Sequence, residues 1–291
     1  MTGDDELASV RAAYAKRILD SVRVDDPRIE AAFAAVRRED FLGPGPWPIF
    51  QVSTGTYVPT PSDDPAYLYS NDLVGIVPEQ RINNGQPSLH AYLLGHARAA
   101  EGEHIVHIGT GAGYYTAIMA HIAGRSGRVT GIEFEPALAA RARANLSSCP
   151  NVQIVEGDGA LAPFDTADVI YVNAGATRPA EAWLDRLAEG GRLILPLTTE
   201  KGFNVPRDMH TIALHGAVFL IERRGSDYFA KWIAPVAIYP CAGNRDLVSQ
   251  AALAAALDNG RMRDVTRLYR HESVPAEDRW LSGPGWSLAY R

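Results

Sequence analysis

Eleven consecutive residues, Ile105 to Tyr115, constrain this chain more than any other stretch. They read Ile-Val-His-Ile-Gly-Thr-Gly-Ala-Gly-Tyr-Tyr. An apolar run enters, Gly109, Gly111 and Gly113 come next, and a helical pattern from Thr116 to Ala123 leaves. A buried strand that turns sharply into a helix needs small residues at the turn. It also leaves backbone N–H groups at the helix start, where a ligand can come close. The stretch therefore predicts a nucleotide-type site at the end of the first strand of an α/β sheet. It is not the dinucleotide fingerprint Gly-x-Gly-x-x-Gly, because Tyr114 stands where the third glycine belongs. A short glycine match is weak by itself. Its weight comes from the regularly spaced strands and helices C-terminal to it.

Strand and helix patterns alternate from there on. Strands are predicted at Ile105–Ile108, Arg128–Ile132, Val152–Val155, Val169–Val172 and Arg192–Leu197, the last announced by Gly190-Gly191. Helices are predicted up to Gly124, over Pro136–Leu146 and near Pro179–Leu187. Repeated strand–helix units imply a parallel sheet with helices on both faces. Val218–Arg223 and Tyr228–Ile238 are separated by the turn Arg224-Gly225-Ser226-Asp227 and read as a β-hairpin closing one sheet edge. The fold class expected is α/β: a Rossmann-like, seven-stranded, mostly parallel sheet with an antiparallel hairpin edge.

Ahead of this core, helices are expected over 5–23 and Pro27–Val36, then a proline-rich irregular stretch over 43–65, then a helix from Pro87 to Ala100. Beyond it, Gln250–Leu257 is Ala-rich and helical, and the tail with Trp280 and Trp286 shows no pattern. Three regions result: 1–100, helical and substrate-side; 101–245, the sheet core; and 246–291, a C-terminal extension.

The 291 residues carry a net charge of −6, so the bulk composition gives no support for a nucleic-acid partner. Cys149 and Cys241 are far apart and offer neither zinc spacing nor a disulfide framework, so no metal is expected. The acidic start, Met1 to Leu7, lacks the apolar core of a secretion signal, and no run reaches the apolar length of a membrane helix. The expected location is the cytoplasm, with no membrane partner.

In an open α/β sheet, ligands bind beyond the carboxyl ends of the strands. Those ends carry Gly109–Gly113, Glu133, Asp158-Gly159 and Asn173. An ionised carboxylate is acceptor-only and has lone pairs for two donors, so Glu133 can take both hydroxyls of a ribose. Asp158 can accept from an exocyclic amine such as that of adenine. No Lys or Arg lies in the glycine loop. Together these features describe a place for an adenosyl compound without a phosphate. The plainer alternatives are a solvated strand end at Glu133 and a simple Asp-Gly turn at Asp158. His107, inside an apolar strand, is expected to be a packed core residue. Of Tyr114 and Tyr115, one is expected to line the cofactor site and the other to be core. His90 has two readings, core packing or cofactor contact.

His107-Ile108-Gly109-Thr110-Gly111-Ala112-Gly113-Tyr114, then Glu133, then Gly157-Asp158-Gly159, then Gly190-Gly191-Arg192-Leu193-Ile194-Leu195-Pro196, resemble the class I S-adenosylmethionine methyltransferases. More narrowly they resemble the protein-L-isoaspartate O-methyltransferase family. Val36-Arg37-Arg38-Glu39-Asp40-Phe41 is similar to that family's Val-Pro-Arg-Glu-Xaa-Phe stretch. Gly85-Gln86-Pro87-Ser88-Leu89-His90-Ala91-Tyr92 is similar to its substrate-side segment. The resemblance covers roughly residues 20 to 240. It implies S-adenosyl-L-methionine as cofactor, with Gly109, Gly111 and Gly113 around the methionine part. It also places Glu133 on the ribose, Asp158 on the adenine amine and His90 on the open side. Thr110, Ala112, Tyr114, Phe134, Gly159 and Asn173 complete the expected cofactor set. Where the family has a substrate-side Ser or Thr, this chain has Gly85. Asn84, Gly85 and Ser88 are the substrate-side candidates, and Gly85 is read as leaving a gap for a bulkier or differently polar substrate.

The function implied is carboxyl O-methylation of a protein or peptide. A small-molecule O- or N-methyltransferase, or a non-catalytic adenosyl-binding module, is the alternative. An ionised carboxylate needs no general base to attack a methylsulfonium, so alignment can supply much of the rate.

Overall fold

A computed structural model describes residues 3–200, 215–241 and 243–291. The chain opens with α1 (Gly3–Val22), α2 (Pro27–Ala35) and the single turn α3 (Glu39–Leu42). Asp26 caps α2: its backbone is extended and its carboxylate accepts the Arg28 N–H at 2.9 Å, with Pro27 in the first turn. The proline-rich stretch is less irregular than expected. It holds an antiparallel hairpin of β1 (Pro48–Gln51) and β2 (Thr56–Pro59), in which Pro48 pairs with Pro59. Prolines at strand ends lose little of the hydrogen-bond ladder, so the hairpin survives them. A second small hairpin, β3 (Gly75–Val77) and β4 (Ile82–Asn83), leads into α4 (Pro87–Ala97).

The regular alternation then begins. β5 (His104–Ile108) is followed by α5 (Tyr114–Ala123), β6 (Arg128–Glu133), α6 (Pro136–Asn145) and β7 (Val152–Glu156). Next come β8 (Ala167–Val172), the short α7 (Glu181–Asp185) and β9 (Leu187–Thr198). β10 (Gly216–Arg224) and β11 (Asp227–Pro235) form the expected hairpin. The chain ends with α8 (Leu247–Asn259), β12 (Arg267–Arg270), β13 (Arg279–Gly283) and β14 (Trp286–Ala289).

These elements group into two compact units, Met1–Glu103 with Thr110–Glu156, and His104–Gly109 with Gly157–Arg291. In the first, α1 packs on α2 and α4, and α5 and α6 pack on the parallel pair β6 and β7. Nearly every residue of α5 is buried, as for a helix that is apolar all round. In the second, β5 and β8 pair in parallel, as do β8 and β9. From β9 onward the pairing is antiparallel, in the order β9, β10, β11, β12, β14, β13.

The seven expected strands, β5 to β11, are all present, and among the described residues the mixed sheet counts ten. β12, β13 and β14 continue it past the hairpin, so the hairpin is not its edge and the sheet is not mostly parallel. Trp280 ties the tail to the sheet and to α8. The Trp280 ring lies 5.3 Å from that of Phe219, and its Nε1 donates to the Gly260 carbonyl just past α8. β9 is also longer than expected. It starts at Leu187, opposite Ala167, and runs through Gly190-Gly191, with a register shift in its pairing to β8.

Candidate active site

The turn after β5 has the expected geometry. Gly109, Gly111 and Gly113 all take left-handed backbone angles, φ +80°, +58° and +97°. A side chain at Gly113 would also meet Leu146, 2.8 Å from its Cβ position. Gly113 caps α5 without any side-chain bond, and a helix N-terminus is where backbone N–H groups can meet a ligand. At the end of β6, Glu133 is buried. Its Oε2 accepts the Gly111 N–H at 2.7 Å and its Oε1 the Glu135 N–H at 3.0 Å. Each carboxylate oxygen keeps a further lone pair for another donor. Burial pushes the Glu133 carboxyl above the usual range, and the backbone N–H groups of Glu135, Gly111 and Phe134 pull it back part of the way. Phe134, next to it, is about half exposed. The solvated-end alternative for Glu133 is excluded by its burial.

Tyr114 is the core tyrosine of the pair. Its ring packs edge-on against Phe33 and Phe41. Its side chain is committed to the interior, which leaves its backbone for a ligand. Tyr115 turns instead to the segment around Gly85. The His90 ring stacks on it at a centroid distance of 3.6 Å, and the Tyr115 hydroxyl donates to the Gly85 carbonyl at 3.3 Å. His90 is thus a packed residue. His107 is fully buried as expected, and burial holds its pKa down to about 3.

The gap expected at Gly85 does not exist. A Cβ there would fall 2.3 Å from His90 Nε2, so the imidazole already fills that space. Gly85 has φ +71°, and its N–H donates to Asn83 Oδ1 at 2.9 Å, which closes a tight Asx turn. Gly85→Ala is therefore expected to lower unfolding stability by about 2 kcal/mol, from left-handed strain and displacement of the ring. Denaturant unfolding measures the loss, and the histidine ring resonances report the broken stack.

Two further residues hold this segment. Arg38 is fully buried. Its Nη1 donates to the Leu68 carbonyl at 2.6 Å and the Ser70 carbonyl at 3.2 Å, and its Nη2 to the Asp72 carbonyl at 3.0 Å. It fixes the loop that presents Asn71, whose Oδ1 accepts the Ser88 N–H at 2.8 Å in the first turn of α4. Ser88 itself is buried. Arg38 is legible only as part of the Val-Arg-Arg-Glu-Asp-Phe similarity, and Asn71 has no signal at all.

In the second unit, Asn173 Nδ2 donates to the Gly109 carbonyl at 3.3 Å, and the Asn173 N–H to Ile108 O at 2.8 Å. Both contacts fix the entry to the glycine turn. Gly159 lies against Ile108, with its Cβ position 2.3 Å from Ile108 Cγ2, and its carbonyl accepts Trp183 Nε1. The Asp158 side chain makes the Asx turn of the plainer alternative, accepting the Ala160 N–H at 2.8 Å. Gly243 crosses over that carboxylate so closely that a Cβ there would sit 2.1 Å from Asp158 Oδ2. Among the described residues no three His, Cys, Asp or Glu side chains come together as a metal cluster, and no helix is long and apolar enough to cross a membrane.

A strand that ends in a left-handed glycine turn, then a helix, then a strand closing on a buried acid, is the arrangement that class I S-adenosylmethionine-dependent methyltransferases share with other nucleotide-binding α/β folds. The chain belongs to the protein-L-isoaspartate(D-aspartate) O-methyltransferase family, whose sequence profile matches residues 49–210. It is 34% identical over 158 residues to the protein-L-isoaspartate O-methyltransferase of Ignicoccus hospitalis, covering 53% of this chain and 69% of that one. It is 30% identical over 227 residues to the Methanoregula boonei protein of the same name, covering 76% and 87%. A Plasmodium falciparum protein given the same enzyme description, solved with S-adenosyl-L-homocysteine, superposes with a TM-score of 0.61 at 17% identity, over 80% of this chain and 99% of that one. The chain is a methyltransferase enzyme and its cofactor is S-adenosyl-L-methionine.

Proposed function

We propose that the chain methylates the carboxylate of isoaspartyl residues in proteins or peptides, in the cytoplasm. Glu133 supports this most directly: a buried acid whose oxygens accept from backbone N–H groups of the glycine turn and of the residue capping α6. Gly109, Thr110, Gly111, Ala112 and Gly113 are assigned to the methionine part of the cofactor, with the Tyr114 backbone beside them. Glu133 takes the ribose hydroxyls, and the half-exposed Phe134 ring offers the adenine an apolar surface. Asp158, Gly159 and Asn173 are assigned to the adenine and sulfur ends, and His90 to the wall behind the segment Asn83–Gly85.

Bound S-adenosyl-L-methionine supplies an electrophilic methyl group on a positively charged sulfur. The residues of this chain have to align a carboxylate oxygen with that methyl and keep water out. They have no proton to remove, because the acceptor is ionised at neutral pH. Glu133 and the glycine turn fix the donor end, and the segment from Asn83 to Ser88 fixes the acceptor end. Incubation with labelled cofactor and an isoaspartyl peptide is expected to give base-labile methyl incorporation, with none on the matched aspartyl peptide. Base-stable label would point to an N- or C-methyl product and end the carboxylate assignment. Binding of S-adenosylhomocysteine without any transfer would leave an adenosyl-binding module.

A further inference from the structure

Asn84 is buried at 6% exposure, and its Nδ2 has no hydrogen-bond partner among the described residues. A buried amide donor left unpaired is costly, and native folds rarely leave one without an acceptor. The residue is held rigidly. Its own N–H donates to the Val74 carbonyl at 2.8 Å. Two positions beyond Val74, the Ile76 side chain faces the glycine turn: a Cβ on Gly111 would lie 3.7 Å from Ile76 Cδ1. On the other side of Asn84, the Gly85 carbonyl is tied to the Tyr115 hydroxyl at the start of α5. Asn84 therefore sits in a backbone bonded to Val74 on one side and, through Gly85, to the Tyr115 hydroxyl in the first turn of α5, the helix that leaves the glycine turn. The neighbouring position cannot supply a donor, because Gly85 carries no side chain and His90 closes the space where one would stand.

We infer that the Asn84 amide binds the carboxylate of the methyl acceptor and orients it for attack. This assignment rests on the carboxyl-methylation function proposed above. The chemistry suits the task. An amide N–H gives a carboxylate a charge-assisted hydrogen bond without offering it a proton. One oxygen is held by Asn84 while the other keeps its lone pair for the methyl carbon. That oxygen forms the new C–O bond, the methyl–sulfur bond breaks, and its electron pair stays on the sulfur, so no proton moves.

Steady-state methyl transfer to an isoaspartyl peptide tests this in the wild type and in Asn84→Ala, Asn84→Ser and Asn84→Asp. Asn84→Ala is expected to lower kcat/KM about 10- to 30-fold, the lower part of the range for one hydrogen bond to a charged group. Asn84→Ser keeps a donor and is expected to retain much of the activity. Asn84→Asp sets like charges side by side and is expected to lose about 100-fold or more. S-adenosylhomocysteine affinity should stay within about twofold in all three, and Asn84→Ala should unfold no earlier than the wild type, since it removes an unpaired buried amide. A kcat/KM for Asn84→Ala within twofold of wild type would show that the amide holds only solvent. Equal losses for Asn84→Ala and Asn84→Asp would rule out a carboxylate at this position. Earlier unfolding that tracks the activity loss would make Asn84 structural. A wild type that forms no base-labile ester on any isoaspartyl peptide removes the parent function as well, an outcome separate from the others.

Discussion

Arg38→Met is expected to destabilise the protein by about 3 kcal/mol, a larger stability loss than for any other single side chain around the site. The guanidinium is fully buried and holds three backbone carbonyls of residues 68 to 72. Methionine fills most of the volume, so the loss isolates the hydrogen bonds from the packing. Of the three acceptors, Leu68 O is bonded in a fully buried setting and the others in a partly buried one, so the costs do not simply add. The check is the urea midpoint at unchanged slope, together with faster amide exchange at Ser88, whose N–H depends on the Asn71 side chain carried by that loop. A loss below about 1 kcal/mol would show that water replaces the guanidinium.

Glu133→Gln is expected to weaken S-adenosylhomocysteine binding about 30-fold, equivalent to about 2 kcal/mol. The amide keeps one acceptor oxygen but places an NH₂ where the other must accept from either the turn or the ribose. pH adds a second signature. Burial raises the folded-state pKa of Glu133 above that of the unfolded chain. The fold therefore favours the protonated form. The stability this group contributes is fully present below the unfolded pKa and is lost as pH rises through the folded one. Ligand binding has the opposite sign, because the hydroxyls need the ionised acceptor. Affinity in the wild type should fall as pH is lowered through a value above that of an exposed glutamate, and Glu133→Gln should lack that step. Calorimetry across this range, with unfolding measured in parallel, separates the two trends. A wild type with flat affinity would remove Glu133 from the ribose.

The parts of the fold visible in the sequence are those dictated by short-range chemistry. Left-handed angles at Gly109, Gly111 and Gly113 admit almost nothing else, and the buried strands β5 and β8 are mostly apolar. Glu133 is legible as the acid that closes the strand starting at Arg128, one of several polar residues at successive strand ends. The tail is not. β12 reads Arg-Leu-Tyr-Arg, and only Leu268 is buried, so its strand character comes from its partners β11 and β14 and not from its own pattern. The Gly190-Gly191 pair announces a strand in isolation but lies inside β9, because pairing with β8 at Ala167 extends the ladder across it. The local pattern misleads at Gly85 for a similar reason: the space there is filled by a ring five residues on, brought back by the turn into α4. Arg38 and Asn71 act on main-chain atoms 17 to 34 residues away, and no local pattern records such distances.

The threading of the chain between its two compact units has a kinetic consequence. The second unit needs His104–Gly109, yet that hexapeptide is made before the next 47 residues, Thr110–Glu156, which belong to the first. β8 can find β5 only across that interval, a pairing between Ile105 and Val169 separated by 64 positions. Such a contact closes a long loop before it returns any energy, so it is expected late on the folding route. A fragment starting at Gly157 would lack β5 and leave one side of β8 with unpaired backbone donors and acceptors. An exposed strand of that kind recruits other chains, so such a fragment is expected to self-associate.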